Sequence, residues 1–200
     1  MQQKRTPKIR IFSFLLAFLL VVTGIPMQQV QAGPEASLLA RYPLIQDAND
    51  ISGNNKNGEV HGAAAWGEGL TLPGGKKTSA SDASYVSLPG SIFAGREELT
   101  ISVWIKSATD KGNYAALFFG TAPHNMPLNY WLFNPTNPGG LFKSVFTDSN
   151  NSGTPYNSEK GVVAGGTEAY KGKWVHYTTV LTASSVTGYI NGQKVGEAAK

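Results

Sequence analysis

The acidic residues of this chain lack the spacing that hydrolysis of a glycosidic bond requires. That chemistry uses two carboxyl groups roughly 5 to 10 Å apart, on either side of the bond that breaks. Glu97 and Glu98 are adjacent, so on a strand their side chains point to opposite faces of a sheet. The sequence also holds no Gly-x-Ser-x-Gly nucleophile elbow and no Gly-x-x-x-x-Gly-Lys phosphate loop. We therefore predict no catalytic residue in this segment.

Three oxygen-bearing side chains fall within one short polar segment and suggest a calcium site. They are Asp47, Asp50 and Asn54. Calcium prefers hard oxygen ligands, which carboxylates and amides supply. The alternative is ordinary turn chemistry, because Asp and Asn side chains also bond to their own backbone in turns. None of the three histidines stands in a metal-ligand spacing. A structural calcium ion is thus the one cofactor that we predict.

A second group of residues has the chemistry of carbohydrate recognition, in which an aromatic ring stacks on a sugar and nearby polar groups bind its hydroxyls. Tyr130, Trp131 and Asn134 lie shortly after His124, and Trp66 is a further aromatic platform. Neighbouring residues on a strand face opposite ways, so at most one of Tyr130 and Trp131 meets a ligand. The alternative for these aromatic residues is packing in the core.

The first 32 residues have the three-part layout of a secretory signal peptide. Met1–Arg10 is basic, Ile11–Val22 is apolar apart from one serine, and a small-residue cleavage pattern ends at Ala32. The apolar run is shorter than the roughly 20 residues that a membrane span needs. We therefore predict secretion, with residues 33–200 as the mature domain.

The mature part is formally neutral. Of the 17 Lys and Arg residues, four precede residue 11, which leaves 17 − 4 = 13 to face 13 Asp and Glu residues. A neutral body argues against a nucleic acid or an anionic membrane surface as partner. Cysteine is absent, which excludes disulfides, thiolate zinc sites and a cysteine nucleophile.

Short runs with period-two alternation, separated by Gly, Pro and Asn clusters, predict an all-β domain. The clearest are Leu99–Lys106 and Trp174–Leu181, and we expect Trp104 and Trp174 within them to pack in the core. Asn191-Gly192 between two β-rich runs predicts a type I′ hairpin turn. Further runs are expected at Tyr85–Leu88, Tyr114–Phe119, Tyr130–Phe133 and Leu141–Phe146. The fold expected from this pattern is a two-sheet antiparallel sandwich or jelly roll.

The order of these pieces, from about Leu38 to Lys194, resembles the laminin-G-like, concanavalin A-like jelly roll of secreted bacterial proteins. The segments that carry the resemblance are Tyr42–Leu44, Asp47, Asp50–Asn54, Ala65-Trp66, Leu70–Gly75, Tyr85–Pro89, Leu99–Lys106, Lys173–Thr178 and Gly188–Gly192. The resemblance implies a β-sandwich and adds weight to the calcium site. The family usually continues for two strands beyond the Asn-Gly hairpin, so we expect these 200 residues to be the front of a longer protein.

A finer resemblance narrows the functional expectation. Asn113–Gly120, Asn129–Pro135 and Phe142–Phe146 look like a subgroup found at the N-termini of extracellular glycoside hydrolases that act on arabinan and related hemicellulose. That resemblance implies a carbohydrate-binding or structural module, with a family 43 or arabinofuranosidase catalytic domain downstream. The alternative is an adhesion module of a cell-surface protein, which binds a glycan or a protein and is not joined to a hydrolase.

Overall fold

A computed structural model describes residues 38–74, 80–107, 116–120, 129–137, 140–147, 158–165 and 170–200. The predicted signal peptide lies outside these residues. The described part contains β-strands and a 3-10 turn at Gly90–Ile92, and no α-helix. Within the same ranges, no helix has the length and apolar character that crossing a membrane requires.

Two four-stranded antiparallel sheets form the body of the domain, and a short two-stranded sheet accompanies them. The first sheet has the order β10-β9-β8-β3, the second β4-β5-β6-β7, and the small one pairs β1 with β2. This arrangement confirms the predicted two-sheet sandwich. The strands are β1 Glu59–His61, β2 Tyr85–Ser87, β3 Leu99–Lys106, β4 Leu117–Gly120, β5 Tyr130–Asn137, β6 Leu141–Thr147, β7 Lys160–Ala164, β8 Trp174–Leu181, β9 Ser185–Ile190 and β10 Gln193–Ala199.

The alternation in β3 and β8 sets which side chains enter the core. Their register runs without a shift from Leu99 opposite Leu181 to Lys106 opposite Trp174. Along β3, half-buried and exposed side chains alternate over all eight residues. The bounds of both strands agree with the sequence prediction, because a half-buried strand alternates apolar and polar residues along its length.

The predicted hairpin joins β9 to β10. Asn191 and Gly192 have φ of 50° and 78°, so both adopt the left-handed conformation that a type I′ turn requires. Ile190 and Gln193 pair on either side of the turn. This prediction is confirmed.

The core lies between the inner faces of the two large sheets. Phe133 and Phe142 meet edge to face with ring centroids 5.3 Å apart, and Tyr177 of the other sheet stacks on Phe142 at 5.8 Å. Such aromatic contacts are worth about 0.5–1.5 kcal/mol beyond the area they bury. The buried members of the cluster are Trp131, Phe133, Phe142, Phe146, Val162, Val175, Tyr177, Val186 and Ile190.

A hydroxyl network crosses this core. Ser144 is fully buried on β6, and its hydroxyl bonds to the Thr179 hydroxyl on β8 at 2.7 Å. The Trp131 indole donates to the same Ser144 oxygen at 3.1 Å. The two sheets are therefore joined by directional bonds as well as by apolar packing, which fixes how they face each other.

Two expectations about tryptophan packing are wrong. Trp104 is 61% exposed and Trp174 is 40% exposed, although both lie within alternating strands. The physical reason is visible in the alternation, which groups Trp104 with Ser102 and Lys106 and puts Ile105 on the core side.

Candidate functional site

The outer face of the second sheet brings together several of the residues predicted for carbohydrate recognition. We call Phe118, Tyr130, Asn134, Lys143 and Glu159 the Tyr130 face. Tyr130 pairs with Gly120 on β4 and with Thr147 on β6, while Asn134 pairs with Lys143. Tyr130 and Asn134 are four residues apart on β5, so period two places both on this side and Trp131 on the other.

Glu159 links the polar members of the Tyr130 face. The Tyr130 hydroxyl donates to Glu159 Oε1 at 2.6 Å, and the Lys143 ammonium forms an ion pair with Glu159 Oε2. The Glu159 side chain is 9% exposed and the Lys143 side chain 25%. Burial, and secondly the bond to Glu159, raise the pKa of Tyr130, so its hydroxyl remains a donor at neutral pH.

The accessible part of the Tyr130 face is an aromatic ring and a cation. Phe118 is 45% exposed, and its ring centroid lies 5.5 Å from that of Tyr130 with a tilt of 34°. Tyr130 and Asn134 are themselves buried, and Asn134 Oδ1 accepts the Thr136 N–H at 3.1 Å. The face therefore offers Phe118 and Lys143 outward, while Tyr130 and Glu159 hold them from behind.

Trp131 lies on the inner side of the same sheet. It is 7% exposed and belongs to the core cluster, with its indole N–H bound to Ser144. Its ring has no open face for a sugar in this structure, so the packing alternative describes it. His124 lies outside the described residues, in the segment between β4 and β5.

Trp66 is placed apart from the Tyr130 face. It is 38% exposed and follows an isolated bridge between Ala65 and Thr71. A shallow apolar pocket of about 240 Å³ lies beside that bridge, lined by Ala63, Ala64, Ala65, Thr71 and Pro73. No contact between described residues joins Trp66 to Tyr130, so its role as a sugar platform stays a separate prediction.

The three residues predicted to bind calcium are engaged in turn hydrogen bonds. The carboxylate of Asp50 accepts the N–H groups of Arg41 and Ser52 at 2.8 Å, that of Lys56 at 3.0 Å, and the Ser52 hydroxyl at 2.9 Å. Desolvation works in the opposite direction, but the three N–H groups hold the pKa of Asp50 well below its usual 3.8.

The other two predicted ligands are hydrogen-bonded less completely. The Asp47 carboxylate accepts two bonds from Asn49, and the Asn54 amide donates to the carbonyl of Leu38 at 2.7 Å. A calcium ion bound through Asp50 would have to displace N–H donors that already fill its lone pairs. Asp50 in this arrangement is therefore a poor calcium ligand, whereas the donors on Asp47 and Asn54 leave that question open, and the ion stays a prediction for experiment.

Residues that the sequence reasoning missed lie on the outer face of the first sheet. The exposed Trp104 ring contacts the imidazole of His176, with centroids 5.0 Å apart. His176 Nε2 lies 2.6 Å from the Ser102 hydroxyl. The sequence signal was the grouping of Trp104 with polar residues on the even positions of β3.

Comparison with known sequences identifies the family. The sequence profile of the concanavalin A-like lectin/glucanases superfamily matches residues 80–200. The chain belongs to this superfamily. The match covers both large sheets, from before β2 to the end of β10. Among curated proteins, no significant sequence match is found.

One solved structure supports the fold of this superfamily member. The chain is similar to domain 4 of AbnA, a GH43 extracellular arabinanase from Geobacillus stearothermophilus, whose structure was solved in complex with arabinotriose. The two share 21% identity with a TM-score of 0.53, over 82% of this chain and 76% of the other. At that identity the likeness establishes a shared fold and assigns no role to any residue of this chain.

Proposed function

We propose that this domain is a non-catalytic glycan-binding module of a secreted polysaccharide-degrading glycoside hydrolase, with arabinan or a related hemicellulose as its ligand. The observation that carries the proposal is the Tyr130 face. There, an exposed Phe118 ring packs on Tyr130, and the Tyr130 hydroxyl bonds to the Glu159 carboxylate that also holds the Lys143 ammonium.

These groups suit a sugar ring. The flat apolar ring of Phe118 can cover the C–H face of a sugar, and the Lys143 ammonium can donate to hydroxyl oxygens, since it carries three N–H donors. Glu159 balances the lysine charge, which favours a neutral glycan over an acidic one. Tyr130 restrains the Glu159 carboxylate through its 2.6 Å bond, so the lysine is preorganised before a ligand arrives.

The similar arabinanase domain supports the choice of sugar. That domain was solved with arabinotriose, which makes linear arabinan oligosaccharides the first ligands to try. The extracellular character of that enzyme also agrees with the secretory leader expected at residues 1–32. A catalytic domain is then expected to act elsewhere in the parent chain.

Binding to soluble arabinan oligosaccharides by isothermal titration tests the proposal. We expect Phe118→Ala and Lys143→Met each to weaken binding about ten-fold or more, as loss of an anchoring contact does. Ile51→Ala is the control, because Ile51 is an exposed apolar residue (57%) that precedes β1 and lies outside the second sheet.

Three results would speak against the proposal. If both variants bind as the unmodified chain does, the Tyr130 face is not the site. If the chain binds no arabinan, xylan or other plant polysaccharide, the glycan assignment fails. Binding to an unrelated glycan or protein alone would favour the adhesion alternative.

A further inference from the structure

The outer face of the first sheet carries a second aromatic and polar surface that the proposed function does not use. We call Ser102, Trp104, Trp174, His176 and Thr178 the Trp104 face. Trp104 lies opposite His176 and Ser102 opposite Thr178 in the β3–β8 register, with Trp174 at the end opposite Lys106. These residues form successive rows about 6.7 Å apart along the strands.

Trp104 presents the largest exposed ring of this surface. Its side chain is 61% exposed, the highest value among the exposed large hydrophobic residues of the described chain. One side of the indole meets the His176 imidazole at 5.0 Å with a tilt of 34°. Trp174, which is 40% exposed, lies diagonally across from Trp104 in the β3–β8 register, and adjoining exposed apolar side chains of this kind mark interaction surfaces.

The polar groups around the ring have hydrogen-bonding capacity to spare. The Ser102 hydroxyl bonds to His176 Nε2 at 2.6 Å and accepts a long bond from Thr178 at 3.5 Å. A serine hydroxyl has one donor and two acceptor sites, so a third position remains for a ligand hydroxyl. The Thr178 hydroxyl donates in its long bond to Ser102 and keeps its acceptor sites.

The backbone beneath this surface is held in place. The His176 N–H donates to Asn191 Oδ1 at 3.0 Å, and its carbonyl accepts the Asn191 N–H at 2.7 Å. The hairpin turn thus fixes the middle of β8, while β3 fixes its other side. Trp174 is held by Glu68 Oε2 at 3.4 Å and lies against Gly69. A preorganised platform loses little conformational entropy on binding.

We propose that the Trp104 face is a second glycan-binding surface, one that takes an uncharged sugar chain along β3 and β8. The inference rests on the proposed function for the kind of ligand and goes beyond it in assigning a separate site. The exposed indole stacks on the C–H face of one sugar, and Ser102 and Thr178 bind hydroxyls in the next row.

The chemistry of the surface favours a glycan over other partners. Its central side chains carry no permanent charge, and the charges around it have both signs: Lys106 and Glu68 at one end, and the Lys194–Glu197 ion pair on β10. A nucleic acid or anionic membrane would need a basic surface.

The Trp104 face and the Tyr130 face are on opposite sides of the domain. Ile101 and Val103 of β3 pack on the core cluster from one sheet, and Phe133 and Phe142 belong to it from the other, so the core separates the two outer faces. One domain could then hold two glycan chains, or two parts of one chain, without competition between the sites.

The indole N–H signals of the four tryptophans provide a direct test. We would titrate the ¹⁵N-labelled full chain with linear arabinan oligosaccharides and follow these signals, each assigned with a single Trp→Phe variant. The Trp104 signal is expected to shift with saturation, while the buried Trp131 signal stays in place as an internal control. Phe118→Ala is expected to leave the Trp104 shift unchanged.

Binding affinity of variants gives a second readout. Trp104→Ala is expected to weaken binding at this face about ten-fold or more, with an unfolding curve that overlaps that of the unmodified chain. Ser102→Ala should weaken the same site. The matched control is Thr100→Ala, an exposed change on the same strand and face but one row beyond the proposed contacts.

Each outcome is decisive for one site. An unchanged Trp104 signal together with loss of all binding in Phe118→Ala would overturn the second site and leave the proposed function standing. A Trp104 shift that survives Phe118→Ala supports the second site. No binding by any variant or by the unmodified chain would overturn both proposals. If Trp104→Ala unfolds the chain, Trp104→Phe with the Ser102→Ala titration decides instead.

Discussion

Replacing Ser144 by alanine is expected to destabilise the domain far more than its small size suggests. Ser144 is 0% exposed and stands between Trp131 of its own sheet and Thr179 of the other. Ser144→Ala creates almost no cavity, so the effect comes from hydrogen bonding. It leaves a buried indole N–H and a buried hydroxyl without their shared partner. An unsatisfied buried polar group costs about 1–3 kcal/mol, so we expect a loss of about 2 kcal/mol.

The assay is urea denaturation followed by tryptophan fluorescence, supported by thermal unfolding. For a domain of this size, a loss of about 2 kcal/mol lowers the melting temperature by about 4–8 °C. Thr179→Val is the companion variant, since it removes the second hydroxyl with little change of shape and should cost about 1 kcal/mol.

The double variant tests whether the Ser144 and Thr179 hydroxyls stabilise the domain jointly. When both hydroxyls are absent, neither remains to be left unpaired by the other, so the double variant should lose less stability than the sum of the two single losses, by about 0.5–1 kcal/mol. A loss below about 0.5 kcal/mol for Ser144→Ala, or strict additivity, would show that the network does not join the sheets energetically.

Three further predictions concern the loop, the turn and the core tyrosine. Calcium bound in the Asp50 loop would stabilise the native state by mass action, so adding the chelator EGTA should lower the melting temperature. Identical melting curves with and without EGTA would contradict the calcium prediction. Gly192→Ala should lower the free energy of unfolding by about 1 kcal/mol, because φ is +78° at that position. Gly67→Ala is the control, since Gly67 also has open space around it but no positive φ, and its stability in chemical denaturation should be almost unchanged. Burial, and secondly the charge of Tyr170, raise the pKa of Tyr177 from its usual 10.0 to about 12. As the pH rises, the unfolded chain therefore loses this proton before the folded chain does, and the free energy of unfolding should fall progressively between pH 10 and about 12. Tyr177→Phe should make this fall less steep, and an equally steep fall would contradict the assignment.

The strands that the sequence predicted well are those whose pattern is local. Leu99–Lys106 and Trp174–Leu181 alternate cleanly, and Asn191-Gly192 has one favoured turn conformation. By contrast, β7 was missed. Gly161 interrupts its pattern, with a φ of +143° and no room for a Cβ, which would lie 2.3 Å from the Ser144 carbonyl oxygen. That close approach exists only once β6 is beside it, so no local rule could reveal the strand.

The candidate sites, like the strands, were predictable only where the signal is local in the sequence. Period two was enough to put Tyr130 and Asn134 on one face and Trp131 on the other. It could not reveal that Glu159 meets Lys143, because that contact depends on the pairing of β6 with β7. Alternation also grouped Trp104 with polar residues, but whether another part of the chain covers that face is a tertiary property. The sequence therefore could not predict that Trp104 is exposed.

The pairing of β3 with β8 also has a consequence for when the Trp104 face exists. β8, β9 and β10 follow one another through short turns, so they can close while the rest of the chain is still unfolded. Ser102 and His176, however, are 74 residues apart in sequence, and their contact needs the closure of a long loop. We therefore expect the Trp104 face to appear among the last features as the chain folds, so that a partly folded chain would have the hairpin of its second half but no platform on which a sugar could stack.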